Sequence, residues 1–162
     1  MTNRISPLDN EQCRQCTSFS DYIKQNREKI NAERPEDAPL MKPLRDDCPL
    51  DKDELGRKSW GLLHTMAAKY PRHPTDAEKR DMSVFFTLFA KFYPCEMCAA
   101  DLRKDLKEDP PKTDSRETLS QWLCQLHNKV NRKLHKPEFD CSKVNERWND
   151  GWADGSCDYV WQ

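Results

Sequence analysis

Glycine is scarce in this chain, with only four in 162 residues. No glycine-rich phosphate loop is present, and a Rossmann cofactor site is excluded. No stretch alternates apolar and polar residues as a half-buried strand would, and no self-similar repeat of roughly 20 to 50 residues occurs, so sheets and solenoids are not expected. Charge of one sign is also missing. Charged residues make up 34% of the chain, yet the net charge is -1, and no basic stripe interleaved with aromatics could hold a nucleic acid by bulk electrostatics. The longest apolar runs are a few residues, far short of the roughly 18 to 20 needed to cross a bilayer. A soluble chain of one modest domain with a loose tail is expected. Met1 to Asn10 carries neither the apolar core of a secretory signal nor an Arg-rich amphipathic presequence, so any oxidising compartment is expected to be reached another way.

Cysteine, by contrast, is plentiful: there are eight, which allow about 105 pairings if all are bridged. Cys13 and Cys16 form one C-x-x-C and Cys95 and Cys98 another, while Cys48, Cys124, Cys141 and Cys157 stand singly. Two redox-type pairs and four possible staples is the suggested partition. The second pair ends the aromatic run Lys91-Phe92-Tyr93-Pro94. Proline suits the first turn of a helix or the residue before it, so Cys95 to Cys98 is expected to begin a helix. There the free N–H groups and the dipole stabilise a thiolate, the form that attacks disulfides, and spacing i, i+3 puts both sulfurs on one face. Half of a zinc site is the competing reading. A Cys₄ site wants its halves roughly 15 to 20 residues apart; Cys16 and Cys95 lie much farther apart, which weighs against zinc.

Residues 1 to 47 hold Pro7, Pro35, Pro39 and Pro43 among polar residues. Apart from a possible short helix from Ser18 to Ile30, they read as an arm that cannot offset its ordering entropy. From Asp51 the pattern becomes helical. Leu55, Leu62, Leu63, Met66, Ala67 and Tyr70 recur at helical spacing until Pro71, with Arg57, Trp60 and His64 on a neighbouring stripe. The Thr75-to-Glu78 capping box announces a second helix with a core-type stripe of Met82, Phe85, Phe86, Phe89 and Phe92. A third runs from about Cys95 through Leu102 and Leu106 towards Pro110. A fourth begins near Asp114 or Ser115, with Asp114 and Glu117 as the capping signal, and is expected to bury Leu119, Leu123, Leu126, Val130 and Leu134. Beside that face lie Cys124, His127, Asn128 and Asn131 at i, i+3, i+4, i+7, a pattern that fits either a ligand or a helix-to-helix polar network. A short fifth helix is expected from Ser142 to Asn149. The architecture expected is all-α: a four-helix bundle with a short fifth helix and a flexible N-terminal arm.

Taken in order, these residues resemble the flavin-linked sulfhydryl oxidase family, of the augmenter-of-liver-regeneration type. The match covers about residues 48 to 158. It runs through Asp-Cys-Pro at 47 to 49, Glu-Leu-Gly-Arg at 54 to 57, Ser-Trp at 59 and 60, Leu-His-Thr at 63 to 65 and Phe-Tyr-Pro-Cys-x-x-Cys at 92 to 98. Further on come Asp-Leu-Arg at 101 to 103, Trp-Leu-Cys at 122 to 124, His-Asn-x-Val-Asn-Arg-Lys-Leu at 127 to 134, Phe-Asp-Cys at 139 to 141, Arg-Trp at 147 and 148 and Gly-Ser-Cys-Asp at 155 to 158. The resemblance implies a domain over 48 to 162 that encloses FAD, with the flavin against the Cys95/Cys98 disulfide. Arg57, Trp60 and His64 would line one side. Cys124, His127, Asn128, Val130, Asn131, Lys133, Lys136 and Trp148 would line the other, with rings stacking on the cofactor, Asn and His bonding its edges and lysines meeting the pyrophosphate. Substrate thiols would attack Cys95, taken as the outer and more accessible sulfur, leaving Cys98 nearest the flavin. Cys124 would bridge Cys141 within the chain, Cys48 would bridge Cys157 across a head-to-tail homodimer, and Cys13 with Cys16 would shuttle electrons. Oxygen or cytochrome c would be the acceptor and a thiol-bearing import oxidoreductase of the mitochondrial intermembrane space the partner. A growth-factor-like signalling protein and a zinc-stabilised helical adaptor stand as the alternatives.

Overall fold

The computed structural model describes residues 16–18, 21, 24 and 47–158. Cys13 and most of the arm lie outside the described residues. Among the described residues four long helices carry the fold: α1 Lys52–Lys69, α2 Asp76–Phe92, α3 Glu96–Glu108 and α4 Arg116–Lys133. No strand occurs among the described residues.

Each start is written locally. Asp51 accepts the Glu54 N–H at 2.8 Å at the head of α1. Thr75 and Glu78 exchange hydrogen bonds at the head of α2, one free donor satisfied by each side chain. At α4 the expected Asp114 and Glu117 box does not form. Ser115 is the cap, accepting the Thr118 N–H at 3.1 Å while Thr118 Oγ1 accepts the Ser115 N–H at 2.9 Å. Asp114 is drawn off to Lys79 on α2, 3.6 Å away.

α1 lies along α4 and α2 along α3. Their shared core is Leu63, Ala67 and Tyr70 from α1, Phe86 from α2, and Leu119, Trp122, Leu123 and Leu126 from α4. Each such large side chain contributes about 1.5–3 kcal/mol by leaving water. Phe86 meets Trp122 edge-on at 4.9 Å, and the Trp122 Nε1–H donates to the Asp109 carbonyl at 3.1 Å. Tyr70 closes the far end, with its hydroxyl donating to Thr113 and its carbonyl accepting from Arg116.

Three residues of the expected apolar stripes lie exposed outside it, one of them Leu62 of α1 at 57% exposure. Phe92 is 71% exposed, because α2 ends there and Tyr93 turns inward onto Phe89 in its place. Leu134, the cap residue that ends α4, is 47% exposed. The expected fifth helix is one helical stretch over 141–150 that starts as a 3₁₀ turn at Cys141–Lys143 and widens to a π turn at Glu146–Asp150. Asp140 caps it through the Ser142 N–H, and the Cys124–Cys141 disulfide, 17 residues apart in sequence, ties it to α4.

The described piece of the arm rests on the head of α1. The Lys52 N–H, a first-turn donor with no partner inside its own helix, donates to the Thr17 carbonyl at 3.2 Å, and the Lys52 ammonium lies 3.5 Å from Asp21.

Candidate active site

Cys95 is the N-cap of α3. Its Sγ accepts the Cys98 N–H at 3.4 Å, and the two cysteines are joined in a disulfide with Cα atoms 5.3 Å apart. The turn before it is pinned from α3 by Arg103, which donates to the Ala90 carbonyl at 3.2 Å and pairs with Glu96 at 2.8 Å. The two sulfurs are unequal, though not as expected. Cys95 is wholly buried, at 0% exposure, and Cys98 is only half-buried and opens onto the main cavity. The cap sulfur folds back over the first turn of its own helix, whereas the residue three positions on lines the cavity.

That cavity has a volume of about 630 Å³, inside the range of roughly 300–1,000 Å³ typical of small-molecule sites. All eleven residues expected along a cofactor line it. α1 supplies Arg57, Trp60 and His64; α4 supplies Cys124, His127, Asn128, Val130, Asn131 and Lys133; Lys136 and Trp148 come from the segment after α4.

The rings are ordered among themselves. Trp60 stacks on His127 with centroids 4.0 Å apart and planes 6° from parallel, and His64 stacks on Trp148 at 4.7 Å and 5°. A hydrogen bond of 3.0 Å between His64 Nε2 and His127 Nδ1 links the two stacks. Burial first, and then the charges of His127 and Arg147, push His64 down to about 3. Burial first, and then Lys136, pushes His127 down to about 4. Both imidazoles are neutral near neutral pH, so each keeps a lone pair. His64 Nδ1 is buried with no hydrogen-bond partner among the described residues.

Asn128 is committed elsewhere. Its Nδ2 donates to the Phe139 carbonyl and its Oδ1 accepts the Phe139 N–H, both at 2.8 Å, so its carboxamide clamps the loop after α4. Asn131 donates to Asn128 Oδ1 at 3.3 Å. Lys133 lies 3.1 Å from Asp105 and 3.4 Å from Asp101, both on α3.

Sequence reasoning passed over Asp101, Asp105, Tyr93 and Met97, which also line the cavity. The signal for the first two was present: Cys98, Asp101 and Asp105 fall at i, i+3, i+7 and share one face of α3. Burial raises the Tyr93 hydroxyl above its usual range. Cys16 is disulfide-bonded, and Cys13 lies outside the described residues. Cys48, half-buried, and Cys157, exposed, are free thiols in the single chain. No described helix is long and apolar enough to cross a membrane.

The model of the Erv1 / Alr family matches residues 57–149. The chain is 46% identical over 123 residues to the mitochondrial FAD-linked sulfhydryl oxidase ERV1 of Saccharomyces cerevisiae, covering 76% of this chain and 65% of that protein. It is 44% identical over 108 residues to the FAD-linked sulfhydryl oxidase ERV1 of Arabidopsis thaliana, covering 65% of this chain and 56% of that one. It therefore spans less than two thirds of the length of either relative. The crystal structure of the yeast Erv1 core superposes with a TM-score of 0.65 at 47% identity, covering 72% of this chain and 99% of that one.

Proposed function

The chain belongs to the Erv1 / Alr family, and from that premise we propose that it is an FAD-dependent thiol oxidase that makes protein disulfides. The observation that carries this reading is the opening of Cys98, half of a disulfide, onto the same cavity that gathers Trp60, His64, His127 and Trp148.

The residues present fit the cofactor. Parallel ring faces suit a flat tricycle, the unpartnered His64 Nδ1 offers a hydrogen-bonding atom at its edge, and Arg57, Lys133 and Lys136 supply cations for the pyrophosphate. FAD, when bound, supplies a two-electron acceptor for the dithiol.

The chain's own part is thiol exchange. A substrate thiolate attacks Cys95, forming a mixed disulfide, and the Cys95–Cys98 bond breaks with its electron pair leaving on Cys98. The exposed Phe92 and Met97 flank the approach, and because Cys95 is buried the turn at its head opens to admit the thiol. Cys98 leaves as a thiolate in the first turn of α3, where the positive end of the helix dipole favours the anion. A second substrate thiolate then attacks the mixed disulfide, releasing the substrate as a disulfide and Cys95 as a thiolate. The reduced pair gives up two electrons and is a disulfide again. Oxygen or cytochrome c is the final acceptor in this proposal, Cys13 and Cys16 relay electrons from a thiol-bearing import oxidoreductase, and the compartment is the mitochondrial intermembrane space. The mitochondrial yeast relative supports the location. A homodimer is supported by the apolar Leu62, Val84 and Leu88 that α1 and α2 leave exposed, and by the free Cys48 and Cys157, which can bridge subunits.

The test is the purified chain's flavin absorbance together with oxygen uptake driven by dithiothreitol. Cys98→Ser is expected to keep the flavin and lose uptake; a colourless wild type, or retained turnover in Cys98→Ser, refutes the reading.

A further inference from the structure

Asp105 is the one buried carboxylate of the described core, with 2% of its side chain exposed. A buried carboxylate needs counterions, since an unpaired one costs several kcal/mol. Asp105 has two, from successive turns of α4. Lys129 meets Oδ1 at 2.7 Å and Lys133 meets Oδ2 at 3.1 Å. The two lysines are not equivalent. Lys129 lies outside the main cavity and also holds Glu108 at 2.6 Å, whereas Lys133 lines the cavity and makes a second, longer contact of 3.4 Å with Asp101. Lys129 alone would still neutralise Asp105 if the Lys133 ammonium swung away, and Lys133 is the lysine with the longer ion pairs.

We propose that Asp105 and the pyrophosphate of FAD compete for the Lys133 ammonium, and that Lys129 tunes this competition by keeping Asp105 neutralised when Lys133 turns towards the phosphates. The proposal rests on the cavity being a flavin site. Asp105 is thus a positioning residue acting through Lys133. Removing its charge leaves Lys133 held only by the longer, more exposed contact with Asp101 and takes a negative charge away from the phosphates. Removing Lys129 leaves Asp105 holding Lys133 alone and weakens the cation's reach. The two changes therefore act in opposite directions, and together they cancel in charge. A pair that merely braced α3 against α4 would weaken binding whichever partner was removed.

The test follows flavin release on serial dilution of the full-chain holoprotein, read by flavin fluorescence, for FAD and for riboflavin, which lacks the pyrophosphate. Asp105→Asn is expected to tighten FAD, Lys129→Gln to weaken it, each by about two- to five-fold, the worth of one partly exposed ion pair. Lys129→Arg is expected to match the wild type, the double variant to return near it, and riboflavin to be indifferent to all four. Should Asp105→Asn fail to fold, the Lys129→Gln and Lys129→Arg pair carries the test, because Lys129 sits at the surface. Weakening by both single variants, or equal shifts for FAD and riboflavin, would overturn the proposal. If the wild type binds neither flavin, it is the flavin site itself that is refuted.

Discussion

Mild acid is expected to loosen this fold through two imidazoles. His64 is held at about 3 by burial, against an ordinary value of 6.5 in the unfolded chain. Below 6.5 the unfolded chain takes up a proton that the folded chain refuses, so the stability this neutral histidine contributes is complete above 6.5, falls as pH drops, and goes on falling to about 3. Each pH unit in that window costs about 1.4 kcal/mol, so moving from about pH 6.5 to about pH 5 removes roughly 2 kcal/mol for His64 alone. His127, held at about 4, adds a similar loss over the same interval, since its folded value also lies below 5, and its loss ends at about 4 where that of His64 goes on to about 3. Carboxylates do not blur the window. Glu78, Glu108 and Asp140 are lowered by their hydrogen bonds, and their contributions are lost only as pH falls below the unfolded carboxylate range near 4. The assay is urea unfolding of wild type and His64→Phe at about pH 7.5 and about pH 5, with the aromatic variant keeping the face that stacks on Trp148. The wild type is expected to lose about 2 kcal/mol more than the variant. Equal losses in the two proteins would show that His64 is not the group that refuses the proton.

Two further outcomes follow from the same geometry. Replacing Cys124 and Cys141 together by serine unties the 141–150 stretch from α4 and is expected to lower stability by about 3 kcal/mol, the loop entropy of a bridge of this size, while far-UV circular dichroism keeps the signal of α1 to α4; an unchanged urea midpoint would show that the staple is idle. Leu62→Glu with Leu88→Glu places charge on the exposed apolar faces of α1 and α2, and sedimentation is expected to move from dimer to monomer, with the Cys48-dependent dimer band lost from non-reducing gels. A chain that sediments as a monomer before any substitution rules the homodimer out.

The helices were legible because their signals are local. Thr75 with Glu78 and Pro94 ahead of Cys95 decide where a helix starts using residues within one turn, and those starts stand where the spacing put them, while the change of pattern at Asp51 marks the start of α1. Where two local signals overlapped, sequence alone had no means to choose: Asp114 and Ser115 both offer a cap oxygen, and in the fold Ser115 takes the cap while Asp114 faces Lys79, more than thirty residues earlier. The cavity's wall was legible as a set of residues but not as a network. His64 and His127 were singled out on separate helices; that they share a hydrogen bond and stack on opposite tryptophans depends on how α1 crosses α4, which no spacing within one helix encodes. Asn128 shows the same limit from the other side. Its place on the His127 stripe was visible, but its carboxamide is spent on Phe139, a partner delivered by a loop.

The depth of Cys95 was the least legible feature, and it bears on how the site works as a whole. Helix α3 carries Cys98, Asp101 and Asp105 along a single face, so one rigid element presents the redox sulfur and the charged groups to the same cavity. That element is fastened on two sides: Arg103 reaches the Ala90 carbonyl in the last turn of α2, and Asp105 with Glu108 ties its last turns to Lys129 on α4. The Cys98 sulfur thereby faces the cavity whose other wall is built from the rings of α1 and α4. Movement for an incoming thiol is left to the turn ahead of the helix, where Phe92 and Pro94 are exposed and Cys95 lies beneath. In the proposed exchange, burial of Cys95 acts as a filter, because a substrate has to open that turn before attack can begin, while Cys98 lies on the cavity side of the same disulfide.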